Sequence, residues 1–268
     1  MTMSPSQERA DFGFGDERGS RRTPLLPGAS GCALASTLAK GLPNHQILLL
    51  EGGGKNDDKA YTTLAERHWA LVAPGYNWGY KTIPQKHLDD REIDQSRGKG
   101  LGGSTAINFC VYTRGPEADY DRWADLVGDS DWAWKSSLSR YRRIEKCRQP
   151  STKYQEMVHI ATKDHGEDGP VDVAVPDTFE PGFTQYMDAI YKHHPKNLDV
   201  NSGNPVGAAI QQNAMVDGQR VSARTAFLKD VPSNLSIKTE ITVHKVLFEG
   251  KKAVGVEHAG GKSNQAPI

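Results

Sequence analysis

Apolar residues fall into three kinds of pattern along this chain, and each predicts a different element. From Gly28 to Lys40, GASGCALASTLAK, small residues lead into a helical run. Ala33, Leu34, Leu38 and the small residues between them suit a helix packed closely on a sheet. Ile47–Leu50 is a continuous apolar run, as of a parallel strand buried on both faces, and it ends in Glu51 and three glycines. Strict alternation comes later: LSIKTEITVHKVLFEGKKAVGVEHAGG reads as strands with a hairpin turn at Glu249-Gly250.

Between these lie weaker signals. An acidic helix start covers Glu117 to Leu126. DWAWKSSLSRYRRIEKC repeats Trp134, Leu138 and Tyr141 at spacings of four and three, predicting a second helix. GPVDVAVP predicts a strand and FTQYMDAIYKHH a helix. Residues 55–97 are irregular and hold the aromatic stretch YNWGYKTIPQ. Residues 1–24 are polar and charged and read as disordered. Their GFG, Gly13 to Gly15, has no strand before it and no helix after it, so it carries no weight as a nucleotide motif.

Composition narrows the function classes. The 268 residues allow a sizeable core in one large or two ordinary domains. Lys and Arg total 33, as do Asp and Glu, so no electrostatic argument points to nucleic acid or an anionic membrane. No apolar run is long enough to span a bilayer or to serve as a secretory signal, and a cytoplasmic location is expected. Cys32, Cys110 and Cys147 are scattered, without the spacing of a metal site or a disulfide framework.

The candidate chemistry sits at two glycine-bearing stretches. A helix N-terminus exposes unpaired N–H groups and a positive dipole end, and so binds phosphate when nothing bulky blocks it. Gly28 and Gly31 fit the second and third glycines of GxGxxG. Glu51, 23 residues after Gly28, stands where a carboxylate accepts ribose hydroxyls. The plain alternative is a surface glutamate after an ordinary strand. The place of the first glycine is taken by Leu26, followed by Pro27, and ERGSRRTPLL does not read as a buried strand. The second stretch is GKGLGGSTAIN, Gly98 to Asn108. Its glycines let backbone amides close on a planar or anionic group, with Ser104, Thr105 and Asn108 as short polar partners. A tight structural loop is the competing reading, and the glycines alone leave both open.

The longer string RGKGLGGSTAINFCVYTRGPEADYD, Arg97 to Asp121, resembles the first signature of the glucose–methanol–choline (GMC) family of flavin oxidoreductases. The likeness extends to GCALASTLAKGLPNHQILLLEGGG, to YNWGYKTIPQ and to DGQRVSARTAFLKDVPSNLSIKTEITVHKVLFEGKKAVGVE, roughly residues 28–258. It implies FAD as cofactor and a small-molecule alcohol as substrate, its CH–OH oxidised to a carbonyl with hydride transfer to the flavin. It implies that Glu51 holds the adenosine ribose and that Gly28 and Gly31 face the pyrophosphate. Gly102, Gly103 and Ser104 then approach the phosphate and ribityl chain. Asn108, Phe109, Cys110 and Val111 run beside the isoalloxazine, and Val243 meets adenine through its backbone. The fold expected is α/β, mixed with α+β. It comprises a Rossmann-like FAD-binding domain with a degenerate first strand, part of a substrate-binding sheet domain, and a C-terminal truncation. The FAD-binding domain is expected over 25–150 and again over 216–268, with the partial substrate-binding region over 151–215.

In the family the proton-accepting histidine lies in a C-terminal segment, and this sequence ends at Ile268 before that segment is reached. No catalytic residue is therefore assigned, and the chain alone is expected to turn over no alcohol. His68, His165, His193, His194 and His244 read as surface or structural groups. Two other readings stand beside this one: a non-catalytic pseudoenzyme fragment or interaction protein, and an NAD-dependent dehydrogenase, which shares the Glu51 logic but leaves residues 97–121 unexplained. The flavin reading requires Gly98–Asn108 to lie by the groove below Gly28 and Glu51. The particular alcohol, the choice between oxidase and dehydrogenase, and the oligomeric state are not legible.

Overall fold

The structure is a computed structural model that describes residues 22–58, 62–63, 66, 68–150, 154–161, 163–176, 178–258 and 261–264. Residues 1–21, with the GFG and most of the segment expected to be disordered, lie outside the described residues. The chain divides into two compact units, one of residues 1–61, 68–107 and 223–268, the other of residues 62–67 and 108–222.

The first unit is built on a parallel sheet. Strand β2 (Gln46–Leu50) lies in the middle, with β1 (Arg22–Leu25) on one side and the strand Leu235–Lys238 on the other. Helix α1 (Ala29–Gly41) connects β1 to β2. The apolar run reads as it does because β2 is buried on both faces. Ile47 and Leu49 join Cys32, Ala35, Ala39 and Leu235 in one core cluster, while Leu48 and Leu50 join Ile241 and Val256 in another. The small residues on the buried face of α1 let the helix lie close to the sheet. Its C-terminal carbonyls are met from outside the helix: Asn234 Nδ2 lies 3.0 Å from the carbonyls of both Ala39 and Leu42.

The sequence shows no buried strand before Gly28, yet a strand is there. Thr23, Pro24 and Leu25 pair in parallel with Ile47, Leu48 and Leu49. They are only half-buried, and among the described residues β1 pairs on one side alone. A strand in that position tolerates a proline and needs no apolar run. It is the degenerate first strand, formed despite its sequence.

The predicted hairpin is also present. Val243–Glu249 pairs antiparallel with Lys252–His258 around Gly250, whose φ is +60°, and Gly261–Asn264 adds a third strand.

The second unit contains the predicted helices α2 (Glu117–Val127), α3 (Trp134–Ile144) and α4 (Phe183–Tyr191). Short strands join them: Glu145–Cys147 pairs in parallel with Val171–Val173, and Val111–Tyr112 pairs antiparallel with Gln212–Asn213. Tyr154, Met157, Val158, Ile160, Val175, Met187 and Ile210 form its apolar core. Among the described residues no helix is long and apolar enough to cross a membrane.

Candidate functional site

The two glycine stretches meet in the first unit. Gly28, with φ +102°, precedes α1. Gly31 must lack a side chain, because a Cβ there would stand 2.0 Å from the Leu26 carbonyl oxygen. That is the close helix–strand approach a third glycine of the motif provides. A Cβ on Gly103 would stand 2.6 Å from Gly28 Cα, so the second stretch crosses the N-terminus of α1 backbone against backbone. Gly102 precedes the short helix Gly103–Ala106 at φ +91°. Ser104 is exposed, and its hydroxyl accepts a hydrogen bond from Gly98 N–H at 3.0 Å.

Glu51 ties this crossing to the sheet. It is 4% exposed, and its Oε1 accepts from Gly53 N–H at 2.7 Å and Gly100 N–H at 3.0 Å. Burial pushes its carboxyl above the usual range, against the pull of those amides, of Gly52 and of Lys99. Asn56 strengthens the tie, with Nδ2 at 3.2 Å from both the Lys99 and Leu101 carbonyls. The segment leading to Val243 is fastened to the same strand end, since Ile241 N–H donates to Glu51 O and Glu240 N–H to Gly53 O. The result is a groove of about 320 Å³ lined by Pro27, Gly28, Glu51, Trp78, Thr242 and Val243, among others.

Gly28, Gly31, Glu51, Gly102, Gly103, Ser104 and Val243 therefore belong to one unit; Gly28, Glu51 and Val243 line the groove, and Gly103 makes the crossing at α1. Asn108, Phe109, Cys110 and Val111 belong to the second unit. There Asn108 Oδ1 accepts from Arg220 Nη1 at 2.8 Å and from Cys110 N–H at 3.1 Å. Phe109 and Val111 are half-exposed, and Cys110 is buried at φ +64°. Trp78 and Tyr80 are groove residues to which the sequence assigns no role, although their stretch YNWGYKTIPQ is part of the family likeness.

The second unit holds a different polar cluster. Arg114 Nη2 donates to Glu145 Oε2 at 2.7 Å, with both side chains fully buried. His165 lies between two acids, Nδ1 at 3.0 Å from Glu145 Oε2 and Nε2 at 2.9 Å from Asp199 Oδ2. Burial alone would lower the His165 pKa, but Asp199, Cys147 and Glu145 hold it up at about 11, so the ring is a buried cation. Burial likewise works against the charged forms of Glu145 and Asp199, and His165 and the other donors outweigh it, leaving both carboxyls below their ordinary values. Two positive and two negative groups thus cancel. Glu145, Cys147 and His165 bring their ligand atoms within 4.8 Å of one another, but the Arg114 guanidinium already serves as the cation of that set. His193 and His194 follow α4, and His244 lies exposed on its strand.

The family profile described as GMC oxidoreductase matches residues 27–267, and the chain belongs to that family. It is 34% identical over 245 residues to an oxygen-dependent choline dehydrogenase of Xanthomonas campestris pv. campestris (strain B100), covering 89% of this chain and 42% of that protein. Two solved structures superpose with a TM-score of 0.80. Pyridoxine 4-oxidase from Mesorbium loti is 26% identical, with 92% of this chain and 47% of that one covered. An FAD-dependent oxidoreductase from Chaetomium thermophilum is 27% identical, with 89% and 41% covered. The chain spans less than half the length of the relatives it matches.

Proposed function

We propose that this chain binds FAD through its adenosine-diphosphate half, as the N-terminal part of an oxidoreductase acting on the CH–OH group of a small alcohol. The observation that carries the reading is the meeting of Gly103 and Gly28 at the N-terminus of α1, with the buried Glu51 holding the glycine loop from below. The donor set fits the group. Bare amides at a helix N-terminus suit a pyrophosphate, and a carboxylate at the end of β2 suits ribose hydroxyls. Glu51 Oε1 is committed to main chain, which leaves Oε2 for the sugar. When bound, FAD supplies the two-electron acceptor for oxidising an alcohol to a carbonyl. The assignment of Asn108, Phe109, Cys110 and Val111 to the flavin ring is part of the same proposal, as is Val243 beside adenine. No catalytic residue is assigned within this chain, and it is proposed to hold the cofactor without turning over alcohol by itself.

Purified chain should be yellow or take up added FAD, and Glu51→Ala should weaken retention about tenfold or more, the scale of losing a charged hydrogen-bond acceptor. A colourless protein that retains no FAD, or one that binds NAD in its place, overturns the reading. Alcohol-dependent reduction of a dye by the isolated chain would overturn the second part.

A further inference from the structure

We propose that Lys99 is a positioning residue for the aromatic wall of this groove: its ammonium holds Trp78 where the purine end of the cofactor is to lie. The inference rests on the FAD reading above. Trp78 borders the groove beside Glu51 and Val243. Its main chain is pinned, because residues 76–78 and 97–99 run as a short antiparallel pair. Trp78 N–H donates to Arg97 O at 2.9 Å and Lys99 N–H to Tyr76 O at 2.8 Å. Asn77 stiffens the pair, with Oδ1 accepting from Arg97 and Gly79 N–H and Nδ2 donating to Leu71 O and Ser96 Oγ.

With the backbone set, three contacts fix the indole. Its edge packs on Gly52, where a Cβ would stand 3.0 Å from Cη2. Tyr80 stacks on it at 6.1 Å with the planes 2° apart. Lys99 Nζ lies over the ring, 4.9 Å from the centroid, within the range of a cation–π contact. Tyr80 is 54% exposed and can turn away. Lys99 is half-buried and tethered at its own backbone, so it is the contact that selects the ring's orientation. The same ammonium also acts on the Glu51 carboxyl through space, on the side that favours its charge. One lysine thereby couples the acid assigned to the ribose and the ring assigned to the purine.

The test is a double-mutant cycle read by ADP and FAD affinity, using intrinsic fluorescence or equilibrium dialysis on the whole chain. Lys99→Met should weaken ADP binding about tenfold, while Lys99→Arg, which keeps the cation over the ring, stays within about threefold of wild type. In a Trp78→Leu background Lys99→Met should cost much less than it does beside the intact indole, what remains being its through-space action on Glu51. Thermal unfolding of each variant checks the fold, and Lys99→Gln replaces the methionine if that variant is unstable. Unchanged affinity in Lys99→Met, or an equal loss with and without Trp78, overturns the inference; the equal loss would mark Lys99 as a direct charge partner of the phosphates. Wild-type chain that binds neither FAD nor ADP removes the cofactor reading and this inference together. Binding without coupling removes only this one.

Discussion

Around Gly28 the first unit clears side chains away so that main-chain amides stand bare, whereas around His165 the second unit crowds side chains until charge is balanced internally. Both regions bury carboxylates, and they do so differently. Glu51 is held on one oxygen by the amides of Gly53 and Gly100, neutral donors, and the Lys99 ammonium acts on it only through space, without an ion pair at hydrogen-bond distance. Glu145 and Asp199 face Arg114 and His165, full cations at hydrogen-bond distance. The signs of the pKa shifts record the contrast: raised for Glu51, lowered for Glu145 and Asp199. An acid held by neutral donors keeps its appetite for a ligand. Acids matched by buried cations have none left, so their cluster is structural.

The largest expected effect comes from breaking the matched cluster. Arg114→Met leaves two buried carboxylates facing one remaining cation, His165, which should destabilise the protein by about 3–5 kcal/mol. Urea unfolding followed by circular dichroism measures it, and adding Glu145→Gln to that variant should recover part of the loss. A cost below about 1 kcal/mol would mean that water reaches the cluster and that the contrast with Glu51 is false.

Removing bareness from the groove comes next. Gly31→Ala drives a methyl into the Leu26 carbonyl at 2.0 Å, a backbone atom that moves only with β1. The expected loss is about 1–3 kcal/mol, with FAD retention lost as well. Gly41→Ala, at the far end of α1 with nothing within 4 Å of the new methyl, serves as the control and should stay within about 0.5 kcal/mol of wild type.

The same contrast decides what could be read from the sequence. The groove is made of short-range features: a helix start, a strand end 23 residues on, and a glycine run, each visible within its own window. The hairpin around Gly250 and helices α2 to α4 are legible for the same reason. Strand β1 escaped because pairing with β2 fixes it, and Pro24 and Arg22 give no apolar period to detect. Trp78 was visible as part of an aromatic stretch, but its contact with Gly52 depends on the fold. The charge cluster joins positions 114, 145, 165 and 199, and no spacing rule links residues brought together from separate elements. His165 reads from sequence as a structural or surface group. It is structural, but as a cation enclosed between two acids rather than as a group in water.

The smallest effect is also the most discriminating, because it asks whether the Glu51 charge is uncompensated. Glu51→Gln keeps an oxygen acceptor for the amides and removes the charge, so stability near neutral pH should change by less than about 1 kcal/mol. The pH dependence carries the information. A carboxyl whose folded pKa is raised binds its proton more readily folded than unfolded. Its contribution is therefore fully present below the unfolded value and lost as pH rises through the folded one. Wild type should gain stability relative to Glu51→Gln as pH falls from neutrality toward the ordinary glutamate value of 4.5. The Glu145 and Asp199 contributions run the other way, being lost as pH falls through their depressed values. The His165 contribution is fully present below its ordinary value of 6.5 and is lost progressively as pH rises from there through about 11. These terms are common to both proteins and cancel in the difference. Parallel curves for wild type and Glu51→Gln would show that Glu51 is as well matched in the groove as Glu145 is in its cluster, and the groove would then have no reason to take a polar ligand at that carboxylate.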